Sequence, residues 1–129
     1  MGKTELVNAD ANSWVCKSGD NVQGLFWNYK LLEQKSEHNN VFYKKLFPSE
    51  VKEKITLRVS NMKNGIYEVS IYRTGYESND YYTAYAKMGA PKNPSEAQIK
   101  ALEKASNDAP IRKEIIKVTS GILQIKMDV

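Results

Sequence analysis

Apolar and polar residues alternate with period two along most of this chain, as expected for strands that bury one face. Residues 55–60 and 67–72 show this alternation, and between them lie Asn64 and Gly65, a pair that accepts the positive φ values of a tight hairpin turn. A further hairpin is predicted where residues 119–121 separate the last two alternating runs. Repeated antiparallel hairpins with one apolar face each predict an all-β fold, an antiparallel two-sheet β-sandwich.

Both tryptophans lie in the first two alternating runs of the chain. Trp14 shares a strand face with Cys16, and Trp27 shares one with Leu25 and Tyr29. Each indole ring is therefore grouped with other apolar side chains on one side of its strand. We expect both tryptophans to fill the core of the sandwich.

Two segments interrupt the strand pattern with helix signals. One begins at Pro94, where Asn93 supplies an N-cap and Glu96 an acidic residue near the start. This helix is predicted to continue for about three turns, because apolar residues recur there at helical spacing. Ile99 and Leu102 are expected to face the body of the protein.

The other helix is predicted from Asp80 to Met88, capped by Asn79 or by Asp80 itself. Gly89 suits a left-handed C-cap, and Pro91 prevents the helix from continuing. The predicted fold is thus a β-sandwich with one or two short helices inserted between strands.

The chain has 129 residues, so we expect a single β-sandwich domain over residues 1–129. It is 41% hydrophobic and 26% charged, which is typical of a globular protein. The N-terminus lacks the apolar run of a signal peptide, so a cytoplasmic location is expected over secretion, unless a signal lies outside this chain. Cys16 is the only cysteine, which excludes an intrachain disulfide.

The net charge of +4 and the sequence pI near 9.1 make the chain mildly basic. Its lysines are scattered and interleaved with glutamates, as on an ordinary solvated surface. No apolar run approaches the roughly 20 residues that cross a bilayer. We therefore expect no nucleic acid and no membrane among the partners.

A polar stretch between Lys30 and Pro48 predicts a long loop, followed by a short strand around residues 41–47. His38, the only histidine, lies in this stretch without a cysteine or histidine at ligand spacing. No metal site and no cofactor is predicted.

Catalysis by two carboxylates needs a pair roughly 5–10 Å apart across a cleft. The acidic residues of this chain fall elsewhere: Glu68 lies on the outer face of a predicted strand, and Glu103 lies on the exposed face of a predicted helix. No catalytic residue is predicted.

Five of the eight tyrosines lie between residues 72 and 85. Tyr81, Tyr85 and Met88 are spaced as one helical stripe, which we expect to face inward. The remaining tyrosines of the run and the two capping residues beside them are the predicted site, in contact with a protein or a sugar: Tyr72, Tyr76, Asn79, Asp80 and Tyr82.

The run from Gly75 to Pro91, the segment 93–98 and the helix that contains Leu102 resemble the C-terminal region of glycoside hydrolase family 39. That family comprises bacterial β-xylosidases, with α-L-iduronidases as relatives. Three further segments are similar to strands of the same region: 12–16 and 22–29 to its opening strands, and 127–129 to its closing strand.

In that family the region is an accessory β-sandwich packed against a (β/α)₈ barrel, which carries the acid/base and nucleophile glutamates. No glutamate here matches the catalytic motifs, so no catalytic role is carried over. Asn28 stands where an aspartate is expected, and Ala90 where a serine is usual. The resemblance implies a non-catalytic fragment of a β-xylosidase-like enzyme, whose tyrosine-rich segment docks against the catalytic barrel as its partner.

Two other functions stay open at this stage. The same tyrosines, or Trp27 if its ring is exposed, would also suit a carbohydrate-binding module that stacks on xylo-oligosaccharides. A stand-alone adaptor that binds nucleic acid is supported by the pI alone.

Overall fold

The computed structural model describes residues 5–28, 46, 48–50 and 54–128. His38 lies outside the described residues, as do almost all of the polar loop after Lys30 and the strand predicted around residues 41–47.

Within these ranges the chain forms seven strands with two helices between the fifth and the sixth. In chain order they are β1 (Glu5–Asp10), β2 (Ser13–Ser18), β3 (Asn21–Phe26), β4 (Lys54–Val59), β5 (Gly65–Ile71), α1 (Tyr81–Lys87), α2 (Glu96–Ala105), β6 (Arg112–Val118) and β7 (Leu123–Asp128). The strands pair as β1-β2-β3, β4-β7 and β5-β6. The predicted class, an all-β antiparallel sandwich with helices inserted between strands, is confirmed.

The pairing of the later strands differs from the predicted hairpins. β4 pairs with β7, and β5 pairs with β6, so neither the turn at Asn64 nor the turn at Gly121 joins partner strands. Instead the two connections bond to each other: the Met62 amide donates to the Gly121 carbonyl over 3.0 Å, and the Gly121 amide donates to Asn64 Oδ1 over 3.1 Å. A turn signal is local, whereas strand pairing is decided by contacts distant in sequence.

The chain divides into two compact units, of which the first comprises Met1–Glu33, Val51–Tyr67 and Ile116–Val129. It contains β1 to β4 and β7. Its buried apolar side chains come from all three chain segments: Val15, Val59, Met62, Val118, Leu123 and Ile125.

The inward face of β2 is opposite to the predicted one. Ser13 and Val15 are buried, with 6% and 3% of their surface exposed, whereas Trp14 is 56% exposed. Trp27 is half-buried, and its ring meets that of Trp14 edge-on at 5.7 Å between centroids. The expectation that Trp14 fills the core is therefore wrong. Both faces of this strand carry apolar residues, so alternation alone cannot say which one is inward.

The second unit comprises Gln34–Glu50 and Glu68–Ile115. Its helices α1 and α2 contact each other, and Leu102 of α2 is 1% exposed. As predicted, Leu102 faces inward, but Ile99 is 44% exposed. The N-cap is Ser95 rather than Asn93: the Ser95 hydroxyl accepts from the Gln98 amide, and the Gln98 side chain accepts from the Ser95 amide.

No described helix is both long enough and apolar enough to cross a membrane. That residues 1–129 form a single domain stays a prediction.

Replacing Leu102 by alanine should lower the free energy of unfolding by about 2–5 kcal/mol, because it leaves a cavity in a closed site. Ile99→Ala is the matched control on the same helix and should cost less than about 1 kcal/mol, since Ile99 is partly exposed. Urea unfolding followed by circular dichroism measures both. Equal losses for the two variants would contradict the assigned orientation of α2.

Candidate interface at the tyrosine cluster

The five tyrosines of this region lie in the second unit and are here termed the tyrosine cluster: Tyr72, Tyr76, Tyr81, Tyr82 and Tyr85. Tyr72 directly follows β5, Tyr76 lies in the connection to α1, and the other three lie on α1. Their positions are set by a short loop and by the cap of a seven-residue helix.

The loop before α1 is closed by a pair of backbone hydrogen bonds. The Gly75 amide donates to the Ser78 carbonyl over 3.0 Å, and the Ser78 amide donates back to Gly75 over 2.8 Å. Glu77, inside this turn, has a φ of 62°, in the left-handed region. Tyr76 is therefore held at the tip of a tight turn.

Lys87, in the last turn of α1, folds back onto this loop. Its ammonium group pairs with the Glu77 carboxylate and lies 5.7 Å from the centre of the Tyr76 ring. The hydrogen bond to Glu77 raises the pKa of Lys87 above its ordinary value. Both charged side chains are about half exposed (51% each), so this pair orients Tyr76 more than it stabilises the fold.

Asn79 links the loop to the segment that follows α2. Its side-chain amide donates to the Arg73 carbonyl over 2.8 Å and to the Ala109 carbonyl over 3.2 Å. Its φ of 48° is left-handed, a conformation that asparagine tolerates better than most residues. Asn79 therefore fixes the loop, and both of its amide donors are already engaged.

Asp80, one of the two predicted capping residues, is the N-cap of α1. One carboxylate oxygen accepts from the Thr83 amide at 3.2 Å, and the other accepts from the Thr83 hydroxyl. Thr83 is 3% exposed, so this paired contact holds the start of the helix against the rest of the second unit.

The tyrosines of α1 are exposed to different extents. Tyr81 is 51% exposed, whereas Tyr85 and Met88 are half-buried, so the predicted inward stripe is wrong at Tyr81. Successive helical residues are about 100° apart, so Tyr81 and Tyr85 both lie nearly opposite the buried Thr83. Tyr81 instead stacks on Tyr85, with ring centres 6.1 Å apart and planes 13° from parallel.

The predicted site residues thus fall into two groups. Tyr72 and Tyr82 are exposed by 54% and 42%, and Tyr76 is half-buried beside Lys87. Asn79 and Asp80 instead hold the loop and the helix that present these rings. The sequence-based prediction missed Tyr81 as a surface residue, because the helical stripe that it shares with Tyr85 and Met88 does not show where the buried part of α1 begins.

Nothing in the described part of the chain resembles a metal centre: no three histidine, cysteine, aspartate or glutamate residues are grouped there closely enough to hold an ion.

Two solved structures are similar to this chain. A GH39 enzyme from Xanthomonas axonopodis pv. citri superposes on 94% of the chain with a TM-score of 0.86 and 29% sequence identity. A monomeric β-xylosidase from Caulobacter crescentus CB15 superposes on 93% with a TM-score of 0.81 and 30% identity. In both cases the chain spans 24% of the length of the enzyme. Neither the protein-family models nor the curated proteins that were compared give a match.

The fold and its tyrosine-bearing insert are thus those of a region that makes up about a quarter of these enzymes. The resemblance to glycoside hydrolase family 39, first indicated by the run from Gly75 to Pro91, is confirmed.

Replacing Asp80 by alanine should destabilise the protein by about 1–3 kcal/mol, because it removes the cap and leaves the buried Thr83 hydroxyl without its acceptor. Asp80→Asn, the matched control, keeps an acceptor for the Thr83 amide and should lose less than half as much. Thermal unfolding measures both variants. Losses of the same size would mean that Asp80 does not act as a cap.

Proposed function

We propose that this chain is a non-catalytic accessory β-sandwich of a β-xylosidase-like glycoside hydrolase, packed against a (β/α)₈ catalytic barrel. The observation that carries the proposal is the superposition of 94% of the chain on 24% of a GH39 enzyme. Almost the whole chain matches one region of an enzyme that is about four times as long, which is best explained if the chain is one part of such an enzyme.

The tyrosine cluster is the proposed contact with the barrel. Tyr72, Tyr81 and Tyr82 each expose between 42% and 54% of their surface. Tyrosine is enriched in protein interfaces, because its ring buries apolar area while its hydroxyl keeps a hydrogen bond. The cap at Asp80 and the bridge at Asn79 hold these rings in place before binding, which lowers the entropy lost on docking.

The partner is proposed to belong to the same polypeptide. The similar Caulobacter enzyme is described as monomeric, and the region like this chain is a quarter of it. By analogy, the surface of this region is covered by the rest of its own chain rather than by a second copy.

The first test is the reading frame around the coding region of this chain. A (β/α)₈ barrel encoded in the same frame is expected, and its absence would overturn the proposal.

The second test is binding. The barrel, produced separately, should bind this chain, and Tyr76→Ala combined with Tyr82→Ala should weaken the Kd at least about tenfold. Ile66→Ala, at a residue 74% exposed in the first unit, is the control and should leave the Kd unchanged.

The chain alone should not hydrolyse aryl β-xylosides. Release of nitrophenol from such a substrate, above the rate given by a heat-denatured sample, would contradict a non-catalytic role.

A carbohydrate-binding module is the second candidate, favoured by the exposed rings of Tyr72 and Tyr81. Amide chemical-shift titration with xylo-oligosaccharides separates the two functions. Saturable shifts confined to residues 72–85 would support sugar binding, and a flat titration together with binding to the barrel would support docking.

A further inference from the structure

The outer face of the sheet formed by β1, β2 and β3 carries large apolar side chains. Leu6, Trp14 and Leu25 are exposed by 63%, 56% and 59%, and all three lie in the first unit. The strand register places Trp14 opposite Leu25, and Leu6 opposite Cys16. Side chains directly opposite one another lie on the same face of a sheet. We term this surface the outer apolar face: Leu6, Trp14, Cys16, Leu25 and the edge of Trp27.

These side chains form a continuous surface rather than isolated exposed residues. Trp14 stands beside Leu25 across the strand pair, and its ring meets Trp27 at 5.7 Å. Cys16 lies two residues further along β2, so it points to the same side as Trp14. A contiguous apolar surface of this kind marks an interaction site, whereas single exposed apolar residues do not.

On the opposite face of the same sheet, Ser13 and Val15 of the central strand β2 are already buried. An antiparallel sheet with one solvated face normally carries polar residues on that face. Here the face exposed to solvent carries a tryptophan on the central strand and a leucine on each neighbouring strand, with Gln23 as a polar residue opposite Cys16. Since β2 is buried on one side and carries exposed apolar residues on the other, we expect that other side to be covered as well.

The outer apolar face is also formed before any partner binds. β2 pairs with β3 along its length and with β1 apart from a register shift between Leu6 and Asn8. In the turn between β1 and β2, the Asp10 carboxylate accepts from the Asn12 amide at 2.8 Å. The Trp27 amide then donates to the Asn12 carbonyl over 3.0 Å, which ties the end of β3 to that turn. A preformed surface loses little conformational entropy on docking.

We propose that the outer apolar face is a second docking surface for the catalytic part of the same polypeptide. The proposal rests on the proposed function, which places a fourfold longer enzyme around this chain. The partner surface should be apolar and should offer one hydrogen-bond acceptor, because a buried indole N–H needs a partner.

Cys16 allows a test on the unmodified protein, because it is the only cysteine and lies on the outer apolar face. The barrel encoded in the same reading frame is added, and alkylation of Cys16 by iodoacetamide is followed by mass spectrometry of its peptide. The bound barrel should slow alkylation at least about tenfold, since the face is then closed to solvent. An unchanged rate with the barrel bound would overturn this proposal and leave the proposed function standing.

The energetic test uses Trp14→Ser combined with Leu25→Ser. The double variant should bind the barrel at least about tenfold more weakly than the native chain. The control is Ile66→Ser, which removes a still more exposed apolar side chain from β5 and should leave the Kd unchanged. If the folded double variant changes the Kd for the barrel by less than about threefold, the proposal is overturned. If the double variant does not fold, the alkylation rate of Cys16 in the native chain decides between the two outcomes.

Two further outcomes would assign the face differently. If the chain alone dimerises in sedimentation experiments, and Cys16 is then protected without any barrel, the occupant is a second copy and the proposal fails. If the barrel does not bind the chain at all, the proposed function fails and the second docking surface fails with it.

Discussion

The pairing of β4 with β7 is the constraint on which the rest of the fold depends. It joins residues more than sixty positions apart and buries Val59 and Leu123 at its end. The connections that leave these strands bond to each other at Met62 and Gly121, so the chain turns there without forming a local hairpin. β5 and β6 are then left to pair with each other, and the helical insert lies between them, closed at its base by the hydrogen bond from the Ile111 amide to the Ile71 carbonyl.

Two short polar side chains determine how that insert presents its aromatic residues. Asp80 caps α1 and holds the buried Thr83, which lies nearly opposite Tyr81 on the helix. Asn79 ties the same loop to the carbonyl of Ala109, beyond α2. These hydrogen bonds hold the loop and the start of α1, and ring contacts complete the cluster: Tyr81 stacks on Tyr85, and Lys87 lies over Tyr76. A surface that such contacts hold in one conformation loses little conformational entropy when it binds a partner.

The outer apolar face explains why Trp14 was expected in the core and is found exposed. The alternation around Trp14 is that of a buried strand, and the prediction assumed that the protein's own core buries it. In the structure it is Val15 that is buried in the core, so Trp14 and its apolar neighbours lie on the other side of the sheet. If the catalytic part of the enzyme covers this face, the strand is buried on both sides, and the residue pattern of β2 agrees with its environment.

The sequence by itself determined most of the elements. It predicted the strand periodicity, a cap of α1 at Asn79 or Asp80, the inward position of Leu102 and the resemblance carried by residues 75–91. These features depend on neighbours within a few positions, which the sequence displays directly. Only the tertiary structure decided that β4 pairs with β7, that Val15 rather than Trp14 is buried, and that Tyr81 faces outward. Each of these depends on contacts between residues far apart in the chain, or on a choice between two apolar faces that a local pattern leaves equal.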